Sequence, residues 1–301
     1  MKRVFISLML GLGLVACGGG DAPFGQAPGD ETDTAGIPEE LASDLESFTY
    51  NPDNQTLTIR GINLEDGRFE DVYRRRPALD RGDYEAYTAQ DGSLDRHSTA
   101  YVRDIRGTRA AIAVTGGQFT YIFAGGSYAN QSYTAPVLPG SQIEGGLVSY
   151  AGNYIGMLNV EGSGEDLIPV TPGTPEGIRP TQAAEITGTI LVNASFSDGT
   201  VNGTITDRVI VDIPSIDVAD LDLAPTGIEA DGTFFGQATV GNQVRGEYGG
   251  IFGGPDATEI AGVVHAQEHI ATLQNEEEYG LFVLAQCGTE GADPLCNQPV
   301  P

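Results

Sequence analysis

The stretch that most limits what this chain can become is Val244–Ala266, VRGEYGGIFGGPDATEIAGVVHA. Two apolar runs, Val244–Phe252 and Ile260–Ala266, flank Gly253-Gly254-Pro255-Asp256-Ala257-Thr258, the composition of an antiparallel hairpin turned by Gly, Pro and Asp. Gly249, Gly250, Gly253 and Gly254 lack a Cβ where a curved sheet needs sharp bends or close backbone contact. The expectation is a sheet that closes on itself.

The neighbouring sequence supplies enough strands for closure. Eight candidates follow one another: Leu147–Val160, Ala183–Phe196, Thr200–Ile213, Ser215–Leu223, Thr233–Val240, Gln243–Phe252, Glu259–Ala266 and Tyr279–Ala285. Alternation is clear where Ile186, Gly188, Ile190, Val192, Ala194 and Phe196 share one face, opposite Thr187, Thr189, Asn193 and Ser195. Asp198-Gly199 then turns a hairpin. Eight antiparallel strands make a barrel whose interior is filled by side chains or holds one small ligand. Between the first two strands, Glu161–Thr181 carries Pro169, Pro172, Pro175 and Pro180 and reads as a long exposed loop.

These residues also carry a family resemblance. The string Gly250-x-Phe252-x-Gly254-Pro255-x-Ala257-x-Glu259-x-Ala261-Gly262 resembles the closing segment of the eight-stranded barrels of bacterial surface lipoproteins similar to transferrin-binding protein B. Ser149–Tyr154 resembles that family's opening strand, and Ala194–Arg208 its central strand pair. The resemblance covers roughly Tyr150 to Ala285. It implies a small handle-like β-module ahead of the barrel, in a single lobe, and a receptor whose loops capture an extracellular macromolecule.

At the other end, Met1–Ala16 has a basic start (Lys2, Arg3) and an apolar core, the pattern of a secretory signal. Leu14-Val15-Ala16-Cys17 resembles a bacterial lipobox, which implies that Cys17 becomes a lipidated, palmitate-bearing first residue. Gly18 rather than Asp follows Cys17, so the expected location is the outer membrane, at the cell surface. Residues 17–43 are rich in Gly, Pro, Thr and acid and are expected to form a disordered tether. The organisation is therefore read as signal 1–16, lipidated tether 17–43, handle-like module 44–138, barrel 139–287 and tail 288–301.

Charge narrows the partners. The formal net charge is −27, and removing Lys2 and Arg3 with the signal leaves −29, which argues against nucleic acid. A surface so acidic repels itself unless salt screens it, so a saline setting is expected. The charge is uneven: residues 44–130 hold ten Arg against thirteen acids, residues 140–301 three Arg against twenty-three. Ten of the twelve Tyr lie between Tyr50 and Tyr154. An Arg/Tyr-rich module is thus joined to an acidic one near Pro136–Gly140.

The first module reads as short strands, Gln55–Ile62, Thr99–Ile105, Ala110–Val114 and Phe119–Phe123, with turn signals at Asp91-Gly92, Gly116-Gly117 and Gly125-Gly126. Its cluster Tyr73, Arg74, Arg75, Arg76, Tyr84 and Tyr87 has residue types enriched at protein interfaces and is the candidate ligand-binding set. The competing reading pairs the tyrosines across strands and lets the arginines neutralise Glu70, Asp71, Asp80 and Asp83.

Catalytic and metal chemistry find little support. His265-x-x-x-His269 with Glu268 has the spacing of two ligands on a helical turn but falls at a strand end. Asp212, Asp217, Asp220 and Asp222 lack calcium-loop spacing and read as a solvated face. No activated-nucleophile arrangement is present. Cys287 and Cys296, in an exported segment, are read as a disulfide in preference to a metal pair. The sequence therefore points to an all-β, lipid-anchored, monomeric binding protein with no catalytic residues, cofactor or metal, holding an extracellular protein or solute. The alternative is a small-molecule carrier that uses the barrel interior.

Overall fold

A computed structural model of the chain describes residues 31–62, 67–117, 122–137 and 146–297. The signal, Cys17, the boundary near 138–139 and most of the expected strand Phe119–Phe123 lie outside the described residues. Two eight-stranded antiparallel sheets follow one another along the chain. The first takes β1 Glu31–Asp33, β2 Leu45–Asn51, β3 Thr56–Ile62, β4 Arg68–Arg75, β5 Glu85–Ala89, β6 Ser98–Ile105, β7 Thr108–Thr115 and β8 Ala124–Ala129 in sequential order. It is nearly closed: Asp44 N donates to Ala124 O at 3.0 Å and Ser127 Oγ to Asp33 O at 3.2 Å across the gap.

The second sheet takes β9 Leu147–Glu161, β10 Ala183–Ser195, β11 Thr200–Ile210, β12 Leu221–Gly227, β13 Thr233–Val240, β14 Gln243–Gly253, β15 Glu259–Gln267 and β16 Glu277–Ala285. It is a closed barrel in which β16 returns to pair with β9, Tyr279 opposite Met157 and Leu281 opposite Ile155. The hairpin read from Val244–Ala266 is present as β14 and β15, in register from Gly246↔Ala266 to Gly253↔Glu259. At its turn Gly254 has φ +74, a conformation only glycine adopts without strain.

Three expectations are corrected. The fourth barrel strand is Leu221–Gly227, not Ser215–Leu223, because tight turns at Ile210–Ile213 and Ile213–Ile216 carry the chain out of the sheet. Inside that strand Pro225, without an N–H, falls where pairing to β13 stops after Leu223↔Ala238. Residues 31–43 are not tether: Glu31–Asp33 is a sheet strand, and Leu41 of helix α1 (Glu39–Ala42) is wholly buried. Gly125-Gly126 is not a turn but the middle of β8. A Cβ on Gly125 would lie 2.1 Å from Ala42 O and one on Gly126 2.7 Å from Val263, so both let neighbours approach.

Three cores result. Phe48, Leu57, Ile59, Tyr73, Tyr87 and Phe123 fill the inside of the first sheet. Tyr150, Ile190, Phe234, Tyr248, Phe252 and Phe282 are among those filling the barrel. Between the two, Tyr84, Tyr101, Ile112 and Val114 meet Ile155, Met157, Val263, Leu281 and Val283 in an apolar seam. Strands β6 and β7 are consequently buried on both faces, an unusual position for antiparallel strands.

Candidate functional site

The barrel interior is not available to a solute along most of its length. Phe252, from the hairpin motif, stands within ring-centroid distances of 5.7 Å from Tyr150, 5.0 Å from Phe196 and 5.4 Å from Phe234, and Tyr150 Oη donates to Ala257 O at 2.5 Å. These aromatics and the surrounding Ile, Val and Leu side chains fill the lumen. That packing counts against the carrier alternative, whose cargo would need this space.

Beyond the aromatic layer the lumen holds charge. Arg208 Nη2 is ion-paired with Glu278 Oε2, His269 Nε2 stands 2.9 Å from the same oxygen and 3.1 Å from Arg208 Nη2, and Tyr154 Oη donates to Glu278 Oε1 at 2.6 Å. The side chains of Arg208, Glu278 and His269 are fully buried. Burial alone would raise the Glu278 pKa, but Arg208 and the hydrogen bonds from His269 and Tyr154 hold it down at about 2. Burial pushes the Tyr154 hydroxyl well above its usual range, with the Glu278 charge adding to it. The arrangement is an ionic plug that closes this part of the lumen.

Sequence reasoning missed this plug because its members lie far apart in the chain. Two signals were available in principle: Arg208 is one of three Arg in the acidic half, and Glu278 interrupts the apolar strand EEYGLFVLA at the inward parity of Phe282 and Leu284. His265 and His269 do not converge. The His265 ring stacks on Tyr279 at 4.4 Å, whereas His269 points into the lumen. Among the described residues no group of three or more His, Cys, Asp or Glu is placed to hold a metal.

With its lumen filled, the barrel presents its loops. Antiparallel succession puts the three long connections 162–182, 211–220 and 268–276, with the tight turn 241–242, at one end and the turns 196–199, 228–232 and 254–258 at the other. The longest connection, 162–182, is strapped onto the first module. Asp166 receives hydrogen bonds from Arg76 Nε at 2.6 Å and lies 3.0 Å from His97 Nε2. Ile168 N donates to the Gln90 side chain at 2.8 Å, and Thr181 Oγ1 to Gly117 O at 2.9 Å. Burial would raise the Asp166 pKa, but the bonds from Arg76 and His97 prevail and lower it; burial pushes His97 down although Asp166 opposes. The strap carries the exposed Ile168, Ile178 and Arg179.

The predicted ligand set divides on inspection. Tyr73 and Tyr87 are in the core of the first sheet, and Tyr84 is in the seam, where its hydroxyl donates to Asn153 O at 2.6 Å and accepts Val283 N at 3.3 Å. None of the three tyrosines reaches solvent, so their assignment to a binding surface is corrected: apolar rings with satisfied hydroxyls are more stable inside. Arg75 is held by Asp80 at 2.6 Å and lies over the Tyr87 ring at 5.6 Å. Arg74 is exposed, and Arg76 stays 52% exposed while it holds the strap.

The arginines also join the modules. Arg81 pairs with the buried Glu185 at 2.6 Å, and Arg106 with the buried motif residue Glu259 at 2.6 Å. Arg106 also donates to Glu290 O at 3.2 Å in the tail, which the Cys287–Cys296 disulfide closes. Among the other motif residues, Gly253 is where the strand meets the first module, since a Cβ there would lie 1.9 Å from Thr108 Oγ1. Pro255 opens the turn, while Gly250 and Gly262 face each other across the hairpin.

An all-β chain of two packed eight-stranded sheets, one of them a closed barrel with its long loops gathered at one end, is the class of protein the coordinates define. No protein-family model and no curated protein sequence matches the chain. Solved structures do. Intact Ap-TbpB, with N and C lobes, is 12% identical with a TM-score of 0.39 over 80% of this chain and 54% of that one. Isotype 1 transferrin-binding protein B from serogroup B Neisseria meningitidis is 10% identical, TM-score 0.38, over 80% and 51%. A structure described as a surface lipoprotein is 16% identical, TM-score 0.36, over 81% and 96%. The chain spans about half the length of the two transferrin-binding protein B structures. The structures matched are of the kind that its motif residues resemble.

Proposed function

We propose that this chain is a lipid-anchored, monomeric, non-enzymatic protein of the outer-membrane surface that captures an extracellular ligand with the loop-bearing end of its barrel. One observation carries the reading: the lumen is packed and plugged, while the long connection 162–182 is fixed against the first module with apolar side chains left facing solvent. Immobilising a loop before binding lowers the entropy that association costs, which is what a recognition loop requires. The lipobox-like Cys17 supplies the anchor, and the bias of Arg76, Arg81 and Arg106 toward the seam supplies the rigid frame.

Two experiments test the reading. Protease added to intact cells is expected to clip the protein; complete protection would place it on the periplasmic side. For capture, the soluble form must start upstream of Glu31, since a start at residue 41 would delete β1 and break α1. A ligand retained by that form and lost when residues 168–178 are replaced by Gly-Ser repeats supports the proposal. Capture indifferent to the replacement would move the site away from this end.

A further inference from the structure

The loop-bearing mouth of the barrel contains a hollow of about 270 Å³ outside the packed lumen. His269 is among its lining residues; its side chain is wholly buried and its Nε2 is claimed by Arg208 and Glu278. Nδ1 makes no hydrogen bond and has only Glu276 Oε1 near it, at 3.5 Å.

The rim is charged and under-used. Arg245, from β14, makes one side-chain contact, Nη2 to Gln243 Oε1 at 2.9 Å, which leaves most of its guanidinium fork free. Opposite in sign, Asp217 of the 211–220 loop and Glu268 of the 268–276 loop both line the hollow. Neither carboxylate has a side-chain partner among the described residues. Ala219 and Val240 add small apolar walls.

We propose that this hollow binds a dibasic α-amino acid, with its carboxylate on Arg245 and its two cationic groups on Asp217 and Glu268. Three arguments select that class. A guanidinium fork matches a carboxylate in bidentate geometry, and free carboxylates match ammonium or guanidinium groups. Arg245 with Asp217 and Glu268 sums to −1, so a ligand with one negative and two positive groups neutralises the site. The volume suits an amino acid and is too small for a macromolecular loop.

The site goes beyond capture of a macromolecule by the strap and stands or falls without it. Isothermal titration of the full chain with L-lysine, L-norleucine, which lacks the side-chain ammonium, and cadaverine, which lacks the carboxylate, tests it. L-Lysine is expected to bind at least about tenfold more tightly than either analogue, as loss of one charge-assisted contact predicts. Arg245→Gln is expected to erase the preference for L-lysine over cadaverine, and Glu268→Gln the preference over L-norleucine. Both positions are at the rim, so each variant is expected to keep the parent's thermal midpoint. No heat with millimolar L-lysine, equal affinity for cadaverine in the parent chain, or L-lysine affinity unchanged by Arg245→Gln would overturn the proposal.

Discussion

The two sheets have the same strand number and opposite interiors. The first encloses apolar side chains and tyrosines, with its arginines kept at the seam and on the surface. The barrel encloses a ring of aromatics and then a fully buried Arg208–Glu278–His269 cluster. An open or nearly closed sheet can send its charges to an edge, whereas a closed barrel has no edge, and inward positions near its mouth must either be apolar or be paired. The difference teaches that closure, not composition, decides where this chain's few cations become structurally expensive to remove.

The largest test of that contrast is Arg208→Met, which leaves Glu278 as an uncompensated buried charge. A loss of about 3–5 kcal/mol is expected in urea unfolding. Arg60→Met, which removes a half-exposed pair to Glu70 and Glu31, is expected to cost less than about 1 kcal/mol. Equal losses would break the comparison. The same cluster sets an acid limb. The folded Glu278 pKa of about 2 is below the usual carboxylate value of about 4.3, so its contribution is complete above pH ~4.3 and is lost as pH falls toward 2. Stability measured across that window is expected to drop less in Glu278→Gln than in the parent.

Smaller effects sharpen the comparison at the seam and the tail. Replacing both Cys287 and Cys296 by Ser reopens a nine-residue separation, and the chain-entropy model gives a loss of about 2.5 kcal/mol in thermal unfolding. Arg81→Gln leaves Glu185 buried without its cation, for a cost of about 1–3 kcal/mol at neutral pH. Burial already raises the Glu185 pKa against the opposing pull of Arg81. A carboxyl with a raised folded pKa becomes less of a burden as pH falls through that value, so the Arg81→Gln deficit is expected to shrink on acidification. This is opposite in sign to Glu278. The smallest expected effect is ionic: added salt stabilises the parent slightly by screening a chain of net charge −27.

Much of the barrel was legible because period-two alternation and hairpin turns are local. The Val244–Ala266 hairpin, the inward row Ile190, Val192 and Ala194, and the disulfide of Cys287 with Cys296 follow from neighbouring residues. The tyrosines were misread because an interface and a core recruit the same residue types; only packing distinguishes them. Asp166 gave no signal, since its partners Arg76 and His97 are brought to it by the docking of two modules.

The sequence by itself determined a closed β-sheet and a strongly acidic chain, because glycine placement, alternation and charge act over a few residues. Tertiary structure alone decided which way Arg208 faces. Strict alternation from Val201 and Ile205 would turn it outward, but Thr187↔Val209 gives way to Thr189↔Thr206 across a β-bulge, and Asp207 takes φ +52. One extra residue reverses the parity and sends the guanidinium into the lumen to meet Glu278. A bulge is stable only where the partner strand and the interior reward it, and neither is visible to the residues that form it.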